Sequence, residues 1–211
     1  MGSKYISISV IKRLPRYYRF LGILKNSGMV RISSRELADR MGLSASQIRQ
    51  DLNCFGGFGQ QGYGYNIENL QAEIGKILGV DKGLKTILIG AGNLGRTIAD
   101  SIEFEKRGFK LIGVFDKNPN IAGQVLAGMP IHSASDIEDF CKENGVEVAI
   151  LCIPYEEAVE IIDTLVLDCK IKGFWNFSHY NINEKYPRAI VENVHFNDSL
   201  MTLCYQIINE D

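Results

Sequence analysis

Three glycines and an aspartate carry the most specific chemistry in this 211-residue chain. Gly90, Gly92 and Gly95 follow the apolar run Ile87-Leu88-Ile89 as G-x-G-x-x-G, and the residues after them, Arg96-Thr97-Ile98-Ala99, read as a helix. In a strand, glycine turn and helix of this kind, backbone N–H groups and the positive end of the helix dipole hold a pyrophosphate. Gly90 permits the tight turn, Gly92 leaves room for the phosphates, and Gly95 lets the helix lie close to the strand. Asp116 stands 21 residues beyond Gly95, at the end of a second strand, Lys110–Phe115. There it can accept hydrogen bonds from an adenosine ribose and repel a 2′-phosphate, so the pattern predicts NAD(H) in preference to NADP(H). Lys117 beside it partly offsets that repulsion. The expected cofactor contacts are Gly90, Ala91, Gly92, Asn93, Leu94, Gly95, Asp116 and Lys117, joined by Pro154, Asn176 and Phe177 from loops at the ends of later strands.

A second set of residues is suited to reading DNA. Ser44, Ser46, Gln47, Arg49, Gln50 and Asn53 share the outward face of a short helix whose inward face is Ile48, Leu52 and Phe55. Arginine forks onto guanine and glutamine onto adenine, while serine hydroxyls and a helix N-terminus suit phosphate. The charge distribution agrees. Residues 1–66 hold ten Lys or Arg against three Asp or Glu, about +7, whereas residues 67–211 hold thirteen against twenty-two, about −9. A basic segment fused to an acidic body suggests that the first part meets a polyanion.

The elements that must position these side chains follow from apolar spacing and caps. Leu14, Tyr17, Tyr18, Leu21 and Leu24 make a helical stripe, and Pro15 places the helix start near Leu14. Ser33 or Ser34 caps a second helix, with Glu36 at capping-box spacing, and Gly42 breaks it. Ser44 caps the next, with Gln47 three residues on. Helix, glycine-containing turn and helix is the helix-turn-helix layout. Gly56 to Asn66, with glycines at 56, 57, 59, 62 and 64, reads as the hairpin wing of a winged helix, with a flexible linker as the competing reading. Tyr63 and Tyr65, at strand spacing, favour the wing, since one face of that strand could pack on the helices. The expected DNA contacts are Arg13, Arg16, Ser33, Ser34, Ser44, Ser46, Gln47, Arg49, Gln50, Gln61 and Tyr63. Modules of this shape also bind proteins; the basic excess favours DNA.

Ile67–Leu78 then reads as a bridging helix, followed by a boundary near Gly79–Lys85. Beyond the glycine motif, strands are expected at Val146–Ile153, Ile171–Phe177 and Ile190–Val194, with helices at Glu156–Asp168 and Ser199–Ile208. The fold class is α/β: a winged helix-turn-helix, a Rossmann-type parallel sheet, and a C-terminal helix whose apolar stripe serves either domain packing or a dimer contact.

The bulk numbers are those of an ordinary globular chain, 45% apolar and 23% charged. No run is long enough to span a membrane and no signal peptide is evident, so a cytoplasmic protein is expected. Cys54, Cys141, Cys152, Cys169 and Cys204 are scattered, as in a reduced protein, and His132, His179 and His195 have no metal-ligand spacing; no metal is expected. The competing function is an NAD-dependent dehydrogenase. About 115 residues follow the cofactor motif, and the sheet consumes them, leaving no substrate domain. His179 and His195 show no acid–base partner in sequence, and Cys152 lies in a buried strand, so no catalytic residue is assigned.

The motifs Arg13-Leu14-Pro15-x-Tyr17-x-Arg19, Gln47-Ile48-Arg49-x-Asp51-Leu52, Phe55-Gly56-x-Phe58-Gly59, Gly90-x-Gly92-Asn93-Leu94-Gly95-Arg96, Phe115-Asp116 and Lys172-Gly173-x-x-Asn176-Phe177 resemble the Rex family of bacterial redox-sensing repressors over nearly the whole chain. The resemblance implies three segments: a DNA-binding domain at 1–80, an NAD(H)-binding domain at 81–196, and a dimerisation helix at 197–211 exchanged between the two copies of a homodimer. It implies a protein that binds operator DNA when the NADH/NAD+ ratio is low and is released by NADH. Such a switch requires the two nucleotides to prefer different conformations. The chain departs from the family at Gln50, where a lysine is usual, and at Gln60 and Gln61 in the wing. It also carries His195 where the family has an aspartate that pairs with an arginine, matched here by Arg19. A neutral histidine cannot form that ion pair and a protonated one would repel Arg19, so an altered discrimination between NADH and NAD+ is expected.

Overall fold

The computed structural model describes residues 6–56, 58 and 63–210. It forms two compact units, Met1–Asp81 and Lys82–Asp211.

In the first unit α1 spans Ile8–Asn26. It therefore begins upstream of the expected Leu14, with Pro15 in its interior. The missing N–H of Pro15 costs one helical bond. Extending the helix upstream, however, puts Val10 in line with Leu14, Tyr17, Leu21 and Leu24 as one buried stripe. A short strand, β1 (Arg31–Ile32), precedes α2 (Ser34–Met41) and α3 (Ala45–Asn53). Both expected caps form: the Ser33 hydroxyl accepts from the Glu36 N–H, and Ser44 from that of Gln47. Gly42 closes α2 in the left-handed region, at φ 64°.

The glycine run emerges into β2 (Tyr65–Asn66), which pairs antiparallel with β1, Ile32 opposite Tyr65. The middle of the expected hairpin, with Gln60 and Gln61, lies outside the described residues. Tyr63 and Tyr65 do not share a face. Gly64 sits at φ 67°, with Ile32 O only 2.6 Å from where a Cβ would stand, and it turns the chain between them. Tyr65 is buried at 9% exposure and Tyr63 is 70% exposed. The Asn66 side chain caps α4 (Ile67–Leu78), which packs on α1 within this unit.

The second unit is a seven-stranded sheet in the order β5-β6-β4-β3-β7-β8-β9, built from β3 (Leu84–Ile89), β4 (Phe109–Asp116), β5 (Val125–Leu126), β6 (Met129–Ser133), β7 (Val148–Leu151), β8 (Gly173–Asn176) and β9 (Ile190–Asn193). All neighbours are parallel except β5 and β6. Four helices join them: α5 (Asn93–Ser101), α6 (Ile137–Asn144), α7 (Tyr155–Asp163), which runs on into a wider π turn at Thr164–Asp168, and the short α8 (Ile182–Lys185). Alternate residues of β3 feed two cores, Ile87 and Ile89 into one and Leu88 into the other, so the strand's second half is an unbroken apolar run. The chain passes from β3 to β4 on one side and reaches β7 on the other, which opens a crevice at the carboxyl ends of β3 and β7.

The chain ends in α9 (Phe196–Ile208), which has no buried residue. Phe196, Leu200, Met201, Leu203, Tyr205, Ile207 and Ile208 are all exposed.

Candidate nucleotide cradle and DNA-reading helix

The glycine turn is built so closely that side chains are excluded from two of its three positions. A Cβ on Gly95 would stand 1.8 Å from the Gly90 carbonyl oxygen, and one on Gly90 would stand 2.4 Å from that of Cys152. A Cβ on Gly92 would meet nothing within 4 Å, so this residue, the N-cap of α5, faces open space where phosphates could approach. Asp116 is already tied to the turn: one carboxylate oxygen accepts from the Ala91 N–H at 2.6 Å and the other from Asn118 N–H at 2.8 Å. A carboxylate has about four lone-pair sites, so capacity remains for ribose hydroxyls.

Beside Asp116 lies a cavity of about 360 Å³, lined by Gly90, Lys117, Ala134, Ser135, Ile137, Glu138, Ile153, Glu157 and Ile161 among others. Its size and its apolar wall of Ile89, Ile137, Ile153 and Ile161 beside polar groups fit an adenosine. Glycine turn, helix N-terminus, acid and cavity therefore all suit a dinucleotide. Sequence reading did not find the far wall. Ile137 and Glu138 come from α6, an element with too short a periodic pattern to stand out.

Pro154 is the N-cap of α7, at the carboxyl end of β7. Asn176 and Phe177 stand at the carboxyl end of β8 as expected, but both are buried. The Asn176 amide donates to Tyr180 O and to Asn193 Oδ1, and its oxygen accepts from both the N–H and the hydroxyl of Ser178. Its hydrogen-bonding groups are engaged within the protein, so it shapes this loop instead of presenting an amide to a ligand. Burial pushes the Cys152 thiol up to about 12, far from a reactive thiolate. Among the described residues, no three His, Cys, Asp or Glu gather as a metal site requires.

His195 is half-buried, just before α9, with Nδ1 2.7 Å from Nδ1 of His179. The rings lie within 15° of one plane with centroids 4.9 Å apart, so the imidazoles meet nitrogen to nitrogen. One nitrogen donates and the other accepts, which holds only while at least one of the two rings lacks its proton there. His179 takes a left-handed backbone, φ 63°, to reach this partner. Nothing in the spacing of 179 and 195 signals the pairing; β8 and β9 bring their exits together.

In the first unit the expected reading face is exposed: Ser44, Ser46, Arg49 and Gln50 all face solvent, with Gln47 half-buried. Arg49 donates to the Ser34 hydroxyl at 3.1 Å, which ties the middle of α3 to the start of α2. Two expected DNA contacts also have internal partners. Arg13 forms a two-point ion pair with Asp51, through Nε at 2.6 Å and Nη2 at 2.7 Å. Arg16 donates to the carbonyl of Met41 at the end of α2.

Asp51 is the residue that sequence reading undervalued. It is 1% exposed, on the inner side of α3, and also accepts from Tyr17 hydroxyl at 2.7 Å and from Gln47 Nε2 at 2.8 Å. Burial opposes its charge, but the hydrogen bonds from Arg13, Tyr17 and Gln47 outweigh burial and hold the carboxyl below its ordinary value. Burial and the same carboxylate push the Tyr17 hydroxyl upward. The advance signals were its place in the motif Gln47-Ile48-Arg49-x-Asp51-Leu52 and its being an acid in a segment otherwise poor in acids.

Comparison with known proteins accounts for both units. Residues 5–53 match a family model described as the N-terminus of a putative DNA-binding protein, and residues 81–180 one described as a CoA binding domain. The chain is 50% identical to the redox-sensing transcriptional repressor Rex of Clostridioides difficile, over 97% of each chain. It is 47% identical to Rex of Clostridium perfringens, over 99% of this chain and 97% of that one. The crystal structure of RSP in complex with beta-NAD+ and operator DNA superposes with a TM-score of 0.89 at 48% identity, covering 98% of this chain and 94% of that one. RSP in complex with beta-NADH gives 0.88 at 45% identity, covering 98% and 96%. With a glycine-lined cradle in one unit, a capped helix-turn-helix in the other, and half its residues shared over 97% of its length with such a protein, the chain belongs to the Rex family of redox-sensing transcriptional repressors.

Proposed function

We propose that this protein binds operator DNA when the NADH/NAD+ ratio is low and releases it when NADH binds. The observation that carries this is the presence of both sites on one chain, each matched across its whole unit by a relative solved with a nucleotide and operator DNA together. Gly90, Gly92 and Gly95 with the N-terminus of α5 hold the pyrophosphate, and Asp116 the ribose. When bound, the nicotinamide supplies the oxidation state that is sensed; the chain itself carries out no reaction on it. The α3 face reads bases through Arg49 and Gln50, while Ser33, Ser34, Ser44 and Ser46 with the helix N-termini meet phosphates. Tyr63, exposed near the end of the glycine run, extends the contact.

The active form is a homodimer. Its support is α9, a 13-residue helix with seven large apolar side chains exposed, a face that a monomer would leave in water. A second copy of the chain covers it, and two-fold pairing presents two reading helices to the half-sites of an operator. The protein acts in the cytoplasm; among the described residues no helix is long and apolar enough to cross a membrane. His195, engaged with His179, has no carboxylate to offer Arg19, so preference between NADH and NAD+ rests on other contacts.

The test is a gel-shift on the DNA upstream of the gene, with NAD+ and NADH added separately. Retention with NAD+ and release with NADH is the expected result. Equal affinity with either nucleotide and with none would reduce the nucleotide to a structural part.

A further inference from the structure

Lys117 stands next to Asp116 in the one place where an ammonium would change which dinucleotide fits. NADP(H) carries a 2′-phosphate on the ribose that Asp116 is placed to hold, and a free lysine there would attract it. The side chain is not free. Its Nζ lies 2.9 Å from Glu157 Oε1, and Glu157, on the first turn of α7, is the less exposed partner at 22% against 61%. The pairing raises the Lys117 pKa, with smaller contributions from Glu160 and Asp116. All four groups line the same cavity, as does Glu138, and Lys117 is the cation among the described lining residues.

We infer that Glu157 is a specificity-determining residue: by holding Lys117 in an ion pair across the adenosine cavity, it withholds the cation that a 2′-phosphate would need. The inference rests on the NAD(H) reading of the cavity. A 2′-phosphate entering this space meets the carboxylates of Asp116, Glu138, Glu157 and Glu160, with the opposing lysine already neutralised. An isolated exposed ion pair is worth little to stability. Its importance here is where it keeps the ammonium, since a phosphate adds nearly two negative charges at the spot.

The measurement is the ratio of NADPH to NADH dissociation constants, followed by nucleotide fluorescence at low ionic strength, for the full-length protein and four variants. Wild type prefers NADH. Glu157→Gln removes one charge and releases Lys117, and the ratio shifts toward NADPH by about tenfold, equivalent to about 1.4 kcal/mol. Glu160→Gln removes the same charge three residues along the helix without releasing Lys117, and its shift is several-fold smaller. Lys117→Met serves as the background for Glu157→Gln, and in the double variant the gain disappears. Equal shifts in Glu157→Gln and Glu160→Gln would overturn the inference, because charge alone would then explain selectivity. A gain that persists without Lys117 would overturn it as well. A wild-type protein that binds neither nucleotide would bring down the dinucleotide reading and this inference with it, a result distinct from NADH binding with an unaltered ratio.

Discussion

The nucleotide cradle and the DNA-reading helix are built on opposite principles. The cradle is made of backbone, and it works because side chains are absent at Gly90, Gly92 and Gly95. The reading helix is made of side chains, and it is held in place by a buried charge, Asp51, that gathers Arg13, Tyr17 and Gln47 from two helices. A site of the first kind tolerates no added atom at Gly90 or Gly95. A site of the second kind tolerates changes on its outer face but not at its anchor. Substitution therefore separates the two units.

The largest effect is expected at Gly95. Its Cβ would overlap the Gly90 carbonyl at 1.8 Å, so Gly95→Ala must push α5 away from β3. Such overpacking costs upwards of about 3 kcal/mol in this unit, with loss of NADH binding, read by thermal melting and nucleotide titration. The folded reading unit, with its own core around Leu14, Leu21, Ile48 and Ile74, should keep its secondary structure. If Gly95→Ala bound NADH like wild type, the close-contact account of the cradle would be wrong.

Next comes Asp51→Asn, which strands Arg13 beside a neutral amide. Breaking a buried pair costs about 3–5 kcal/mol, and because Arg13 is partly exposed and can rehydrate, about 2–3 kcal/mol is expected. DNA affinity should fall with it while NADH affinity stays, the mirror image of Gly95→Ala. The same pair predicts a pH dependence. A carboxyl held below its unfolded value contributes stability above the ordinary value of 3.8, and loses it as pH falls through its lower folded value. Acid unfolding monitored in wild type and Asp51→Asn should diverge above that window and converge below it. Parallel curves throughout would remove Asp51 from the ledger of acid stability.

The smallest effect is expected on the outer face. Arg49→Ala should cost about 1–2 kcal/mol of binding on the specific operator and far less on random DNA, by gel-shift on both. Equal losses on the two would make Arg49 a phosphate contact.

The same contrast explains what could be read from sequence. The cradle was legible because it demands particular residue types at particular spacings, and Ser33 and Ser44 were legible as caps because capping is local. The anchors were not. Nothing near Arg13 and Arg16 in sequence reveals that Asp51 and Met41 O will be their partners. His179 and His195 are 16 positions apart and meet only because β8 and β9 are neighbours. Pro15 was misread for a related reason: local propensity argued for a helix start, and burial of Val10 with the stripe below it argued more strongly for continuation. Tyr63 and Tyr65 shared a strand period until Gly64 turned the chain.

Fastening α3 to α1 through Asp51 has a mechanical consequence. A helix tethered only by greasy contacts can roll about its own axis, and its base-reading tip would then wander among registers. Here any roll of α3 must tear a carboxylate from two donors one turn apart on the same face of α1, so α3 turns only when α1 turns. The α1–α3 pair thus behaves as a crank, and a tilt of its shaft is passed on to the reading helix.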